Sequence, residues 1–222
     1  MLKVKAVLFD FDGTVVEYKI DIVSGKRELR GLVRDFGLGF DPTRMSIYHL
    51  LAKARKILKP DKFRSFKEEV YQIIDKYEIK AVRETDFRPN VLELLGWLRK
   101  EGIKLAIITN NSSKALRIAD ERLGLSERFD LLITRDLVDS IKPEPEGIRK
   151  ALRLLRVKPG SALMVGDSPL DILAARNAGV LSVAVPINAD NVKVLADMEP
   201  DFLVGGISEI KDVILYLNSV EY

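Results

Sequence analysis

The chain has 222 residues, 47% hydrophobic and 31% charged, with 36 basic against 33 acidic residues for a net charge of +3. This is enough chain for one large domain or two small ones, and its charge is too balanced to announce a nucleic-acid binder, so a nucleic-acid partner is not expected. Zero cysteines exclude disulfides, thiol nucleophiles and thiolate metal sites, and a single histidine leaves little scope for a histidine-based zinc site, so any metal must be held by oxygen.

In chain order, Lys3 to Phe11 reads as a buried strand, because Val4, Ala6, Val7, Leu8 and Phe9 are too densely apolar for simple alternation. The stretch from Glu17 to Arg88 then carries only helical periodicity. Ile47, Leu50, Leu51, Ala54 and Leu58 form one stripe, and Phe63, Phe66, Val70, Ile73, Ile74 and Tyr77 form another, with Pro42 and Pro60 marking internal turns. His49 falls about 200° around the helix from Ile47 and is expected in solvent. From Pro89 onward short apolar runs recur at Lys104 to Ile108, Leu131 to Thr134, Ala162 to Val165, Leu181 to Val185 and Phe202 to Val204. Helical patterns separate them, for example Val91, Leu94, Leu95 and Leu98, then Ala151, Leu152 and Leu155. Strands alternating with helices imply a parallel sheet covered on both faces, a Rossmann-like three-layer α/β core. The expected division is a core of residues 1–16 and 89–222 with a helical insertion of residues 17–88. No apolar stretch approaches the ~20 residues needed to span a bilayer and no signal-peptide pattern opens the sequence, so a cytoplasmic location without a membrane partner is expected. The abundance of Lys, Arg and Glu beside a single Gln leans toward a thermophilic source.

In open parallel sheets, ligands bind beyond the carboxyl ends of the strands. The first strand ends in "DFDGT", which supplies Asp10 and Asp12, and Gly13 permits the chain to bend there. The second ends in "TNN", supplying Thr109 and Asn110. A later loop, "KPEP", supplies Lys142, and "GDSPLD" supplies Asp167 and Asp171. Clustered carboxylates without histidine or cysteine favour a hard cation such as Mg²⁺, which binds through one or two carboxylates plus substrate phosphate. Lys142, Thr109 and backbone N–H groups suit phosphate oxygens, and an aspartate can act as nucleophile through an aspartyl-phosphate. Each motif also has a plainer reading. "DG" closes strands, Asp171 stands three residues after Ser168 as an N-terminal helix acid would, Thr109 and Asn110 suit helix caps, and Lys142 suits a solvated loop. The basic run Arg55, Lys56, Lys59, Lys62, Arg64 and Lys67 reads as a solvated helical surface.

The four motifs, in this order, resemble those of the haloacid dehalogenase-like hydrolases, and the helical insertion after the first motif is similar to that family's type 1 cap. The resemblance covers nearly the whole chain; "RPNVLELLGWLRKEGIKLAIITNN" is similar to phosphoglycolate phosphatases and their relatives, with Pro89-Asn90 where those often carry Pro-Gly. It implies that Asp10 is the nucleophile and a Mg²⁺ ligand. Asp12 would be the acid and base, its main-chain carbonyl also a ligand, and Asp167 a further ligand with Asp171 in support. Thr109 and Lys142 would hold the phosphoryl group and Asn110 would help orient phosphate or substrate. An aspartate at position 12 implies phosphate-ester rather than carbon–halogen chemistry. The expected activity is a Mg²⁺-dependent phosphatase acting on a small phosphorylated metabolite, phosphoglycolate-like or a sugar phosphate, with Arg44, Tyr48 and Arg55 as specificity candidates. A phosphomutase shares all four motifs, and a phosphate-ligand binding or regulatory protein remains the non-catalytic alternative.

Overall fold

The computed structural model describes residues 4–219. Six parallel strands alternate with helices as the periodicities require. In chain order they are β1 (Ala6–Phe9), α1 (Ile22–Asp35), α2 (Ile47–Ile57), α3 (Pro60–Glu84), α4 (Val91–Lys100), β2 (Lys104–Ile108), α5 (Ser113–Leu123), the single turn α6 (Leu125–Arg128), β3 (Leu131–Ile133), α7 (Glu146–Leu155), β4 (Ala162–Gly166), α8 (Pro169–Ala178), β5 (Leu181–Ala184), α9 (Ala189–Ala196), β6 (Phe202–Leu203) and α10 (Ile210–Ser219). The first strand is shorter than expected from the sequence, and Lys3, where that expectation began, lies outside the described residues.

The sheet order is β3-β2-β1-β4-β5-β6, all neighbours parallel. All four residues of β1 are buried, as a central strand covered on both faces requires. Ala6 and Leu8 join Ala106, Ile108, Ile148, Ala151, Ala174 and Ala175 in one core, which brings α7 and α8 onto one face. Phe9 points the other way and meets Phe129 edge-to-face at 6.1 Å. The small side chains of α8 at positions 174, 175 and 178 let that helix lie close to β4 and β5. Its start follows from local chemistry. Ser168 is the N-cap and Pro169 occupies the first turn, while Asp171 returns its carboxylate to the Ser168 N–H at 3.1 Å.

The chain divides into two compact units, one running up to Tyr18 and again from Thr85 onward, the other Lys19–Glu84. The sequence assigned residues 17, 18 and 85–88 to the helical stretch, but they fall in the α/β unit, where residues 15–17 pair with 86–88. Val16 bridges Phe87, the Glu17 N–H donates to the Asp86 carbonyl at 2.9 Å, and the Arg88 N–H donates to the Val15 carbonyl at 3.0 Å. The helical unit has its own core of Leu29, Leu32, Leu50, Ala54, Phe66 and Val70, with Phe36 and Phe66 edge-to-face at 5.1 Å. Helix α1 carries two glycines, poor helix formers; at Gly25 a Cβ would come within 3.3 Å of the Tyr77 ring of α3, a tight contact that the absent side chain spares. His49 is exposed and bonded to its own N-cap, Ser46, at 2.8 Å.

Candidate active site

The order of the strands brings the motifs together. β2, β1 and β4 are adjacent, and Phe9 lies in register with Ile107 and Val165, so the residues that follow them share one rim. The chain past β1 closes a tight turn, with the Val15 and Val16 N–H groups both donating to the Phe11 carbonyl at 2.9 and 3.0 Å. At its apex Gly13 has φ 81°, and a Cβ there would lie 2.6 Å from Asp167 Oδ2, so the backbone passes against a carboxylate at a point where only glycine fits.

Lys142 is the hub. Its ammonium donates to Asp10 Oδ1 and to Asp171 Oδ1, each at 2.6 Å, and its side chain is 5% exposed. The second Asp171 oxygen accepts from the Ser168 hydroxyl at 2.6 Å, so Asp171 caps α8 with one oxygen and bonds Lys142 with the other. Asp167 takes a bond from the Thr14 hydroxyl at 2.6 Å through Oδ1, and its main-chain carbonyl accepts from Asn191 at 3.0 Å. Asp12 Oδ2 accepts from the Asn111 amide at 2.6 Å. Thr109 is buried, and its hydroxyl accepts the Asn111 N–H at 3.1 Å. Asn110 holds the lysine loop with both ends of its amide. Nδ2 donates to the Lys142 carbonyl at 3.2 Å and Oδ1 accepts the Lys142 N–H at 3.0 Å.

The sequence reading passed over three contributors. Asn111 stood in the quoted "TNN", but nothing in the sequence told which asparagine faced Asp12. Thr14 stood in "DFDGT" without a task. Arg88 gave no signal; its guanidinium donates to the carbonyls of Gly13 and Pro186, tying the turn after β1 to the loop after β5.

The electrostatics ask for a cation. Asp10, Asp167 and Asp171 each place a carboxylate oxygen within 4.8 Å of the others, and Lys142 is the ammonium bonded among them. Burial is the main force raising the Asp10 carboxyl to about 6, with the Asp171 charge adding and Lys142 opposing. Burial likewise lifts Asp167 well above the usual carboxylate range, helped by the charges of Asp10 and Asp171. For Lys142 burial pulls downward, yet the two aspartates prevail and hold it above the ordinary lysine range. Burial and the Asp171 charge outweigh the lysine at Asp10, which reconciles its raised carboxyl with its short bond to Lys142. The Tyr18 phenol, pushed up to about 12 by burial and then by Asp12, Asp167 and Asp10, registers the same uncompensated negative field. The donor set, all oxygen and in excess of the positive charge, fits a hard divalent cation such as Mg²⁺.

A parallel α/β sheet with carboxylates and a lysine gathered at one rim suits a class of protein, hydrolases of the α/β fold class. The family follows from comparison, since the model described as haloacid dehalogenase-like hydrolase matches residues 7–185, and the chain belongs to that family. It is similar to pyrophosphatase PpaX of Bacillus cereus, 28% identical over 225 residues covering 98% of this chain and 99% of that protein. A Caldanaerobacter subterraneus protein that bears the PpaX pyrophosphatase name provisionally is 31% identical over 213 residues, 96% of each chain. Among solved structures it resembles a haloacid dehalogenase-like family hydrolase from Streptococcus pneumoniae (TM-score 0.64, 22% identity, 96% of this chain and 99% of that one). It also resembles the phosphoglycolate phosphatase predicted in Haemophilus somnus (TM-score 0.62, 24% identity, 95% and 97%). Among the described residues no helix is long and apolar enough to cross a membrane.

Proposed function

We propose that this hydrolase is a Mg²⁺-dependent phosphatase of small phosphorylated metabolites working through an aspartyl-phosphate on Asp10. The observation that carries the reading is the pair of aspartates two residues apart with opposite surroundings: Asp10 bonded to the Lys142 ammonium, Asp12 to the neutral Asn111 amide. A nucleophile has to be ionised, which the lysine favours. An acid and base has to change protonation, which a neutral partner permits.

In the proposed first step an Asp10 carboxylate oxygen bonds to phosphorus as the bond to the leaving oxygen breaks, and Asp12, protonated, gives that oxygen its proton. In the second step Asp12, now ionised, takes a proton from water while the water oxygen bonds to phosphorus. The Asp10 carboxylate departs, phosphate is released and Asp12 is again protonated. Lys142 and the Thr109 hydroxyl neutralise the transferring group, and Asn110 acts by fixing the lysine loop. A bound Mg²⁺ would supply charge neutralisation of the phosphoryl oxygens; Asp10, Asp167 and the Asp12 carbonyl would hold it, with Asp171 in support because both its oxygens are already engaged. On the family resemblance, the helical unit serves as the cap, with Arg44, Tyr48 and Arg55 as specificity candidates.

Phosphoglycolate-like esters and sugar phosphates are the first substrate class. A second reading, inorganic pyrophosphate, is favoured by the PpaX name of relatives that align over nearly the whole chain. The test is phosphate release from a panel of both kinds with Mg²⁺ or EDTA, comparing wild type with Asp10→Asn. Release that needs Mg²⁺ and vanishes in the variant is expected. Phosphoryl transfer between sugar hydroxyls without free phosphate would establish a mutase instead, and tight phosphate-ester binding without turnover would establish a binding protein.

A further inference from the structure

We propose that Asn111 is a positioning residue for the reaction, fixing the Asp12 carboxylate for its two proton transfers. The inference rests on Asp12 as acid and base and deepens that reading by naming the group that aims it. Asp12 lies beyond β1 in an isolated bridge to Val16 within the tight turn, outside the six-stranded sheet, so the pleat of that sheet does not set its direction. What the structure supplies is the Asn111 amide, 2.6 Å from Oδ2, on a residue 5% exposed. Asn111 is itself held on both sides along the main chain. Its N–H donates to Thr109 Oγ1 at 3.1 Å and its carbonyl accepts from the Arg135 N–H at 3.1 Å. The Arg135 guanidinium also donates to the Asn110 carbonyl at 2.8 Å. The loop after β2 therefore orients two groups from consecutive residues, the lysine segment through Asn110 and the acid through Asn111.

The residue type matters as much as the distance. A lysine or arginine in this place would set a full charge against Asp12 through a charge-assisted pair, and an apolar residue would remove this bond. A neutral amide fixes the carboxylate by a hydrogen bond without adding a charge beside it. Asn111→Asp preserves shape and both main-chain contacts but replaces the donor with an acceptor; Asn111→Ala removes the side chain.

The experiment compares wild type, Asn111→Asp and Asn111→Ala on an alkyl phosphate, whose leaving oxygen needs a proton, and on 2,4-dinitrophenyl phosphate, whose leaving oxygen does not. Thermal melts confirm folding, and Asn111→Asp is the deciding variant if the alanine variant fails to fold. On the alkyl ester kcat is expected to fall about 10- to 100-fold with KM little changed. On the activated ester a rapid burst of phenolate is expected to persist while steady turnover slows, because only the second step still needs Asp12. A burst lost together with turnover, a change confined to KM, or wild-type rates on both esters would overturn the inference. If wild type itself shows no Asp10-dependent release, the phosphatase reading falls first, so the two failures are told apart.

Discussion

At the scale of single residues, Lys142 shows how the site holds more carboxylate charge than its surroundings welcome. Its ammonium bonds Asp10 and Asp171 in a region almost closed to water. Removing one member of a buried ion cluster leaves the others charged and unpaired, at a cost of roughly 3–5 kcal/mol. Lys142→Met is therefore expected to lose stability on that scale in urea denaturation near neutral pH. The deficit should shrink as pH falls toward about 6, because without the lysine, which opposes the rise, Asp10 takes up its proton above that value and one of the stranded charges disappears. A deficit independent of pH would show that the lysine acts through packing alone. Asp171 adds a second lesson: one oxygen belongs to a helix cap and the other to the lysine, so a capping residue and a site residue are here the same side chain.

At the scale of elements, the helices differ in how well their ends suit their residues. α5 and α8 finish on Gly124 and Gly179 with φ 62° and 72°, the left-handed conformation that glycine enters freely. α7 finishes on Arg156 with φ 58°, the same conformation forced on a residue with a Cβ. Arg156→Gly is expected to stabilise the protein by ~0.5–1 kcal/mol, a rise of about 1–4 °C in Tm by calorimetry. Asn90 is the milder case. It opens α4 at φ 66°, where similar chains often carry glycine, and asparagine is among the side chains that tolerate that region, so the departure at Pro89-Asn90 keeps the turn.

At the scale of the whole molecule, the sheet gathers carboxylates whose mutual repulsion a cation would relieve. Mg²⁺ at about a hundred times its Kd is expected to stabilise the fold by ~2.7 kcal/mol, with EDTA reversing the effect and Asp167→Asn removing it. The pH dependence follows from Asp10. Its folded-state value of about 6 lies above the ordinary 3.8, so without metal the native state binds more protons than the unfolded one between these limits, and stability falls as pH rises through that window. Metal requires the ionised carboxylate, so its stabilisation should run the opposite way, fading below about pH 6. Melting curves with and without Mg²⁺ across that range check both signs; a metal effect that grows on acidification would contradict the assignment of Asp10 as a ligand.

The sequence by itself marked most of the elements and the groups gathered at the strand ends. Dense apolar runs mark buried strands, stripes at helical spacing mark α2, α3 and α4, and carboxylates with a lysine at strand ends mark a hard-cation, phosphate-suited rim, because periodicity and residue type are local properties. Only the tertiary structure decided which groups meet. Strand order places β2, β1 and β4 side by side, and that adjacency, spanning about 150 residues of chain from Asp12 to Asp167, turns separate motifs into one site. It also decided between Asn110 and Asn111, neighbours alike in sequence, because which amide faces Asp12 and which faces Lys142 depends on the path of a loop held by Arg135. The pairing of residues 15–17 with 86–88 was hidden for the same reason: backbone hydrogen bonds between distant segments leave no mark in the side-chain pattern of either.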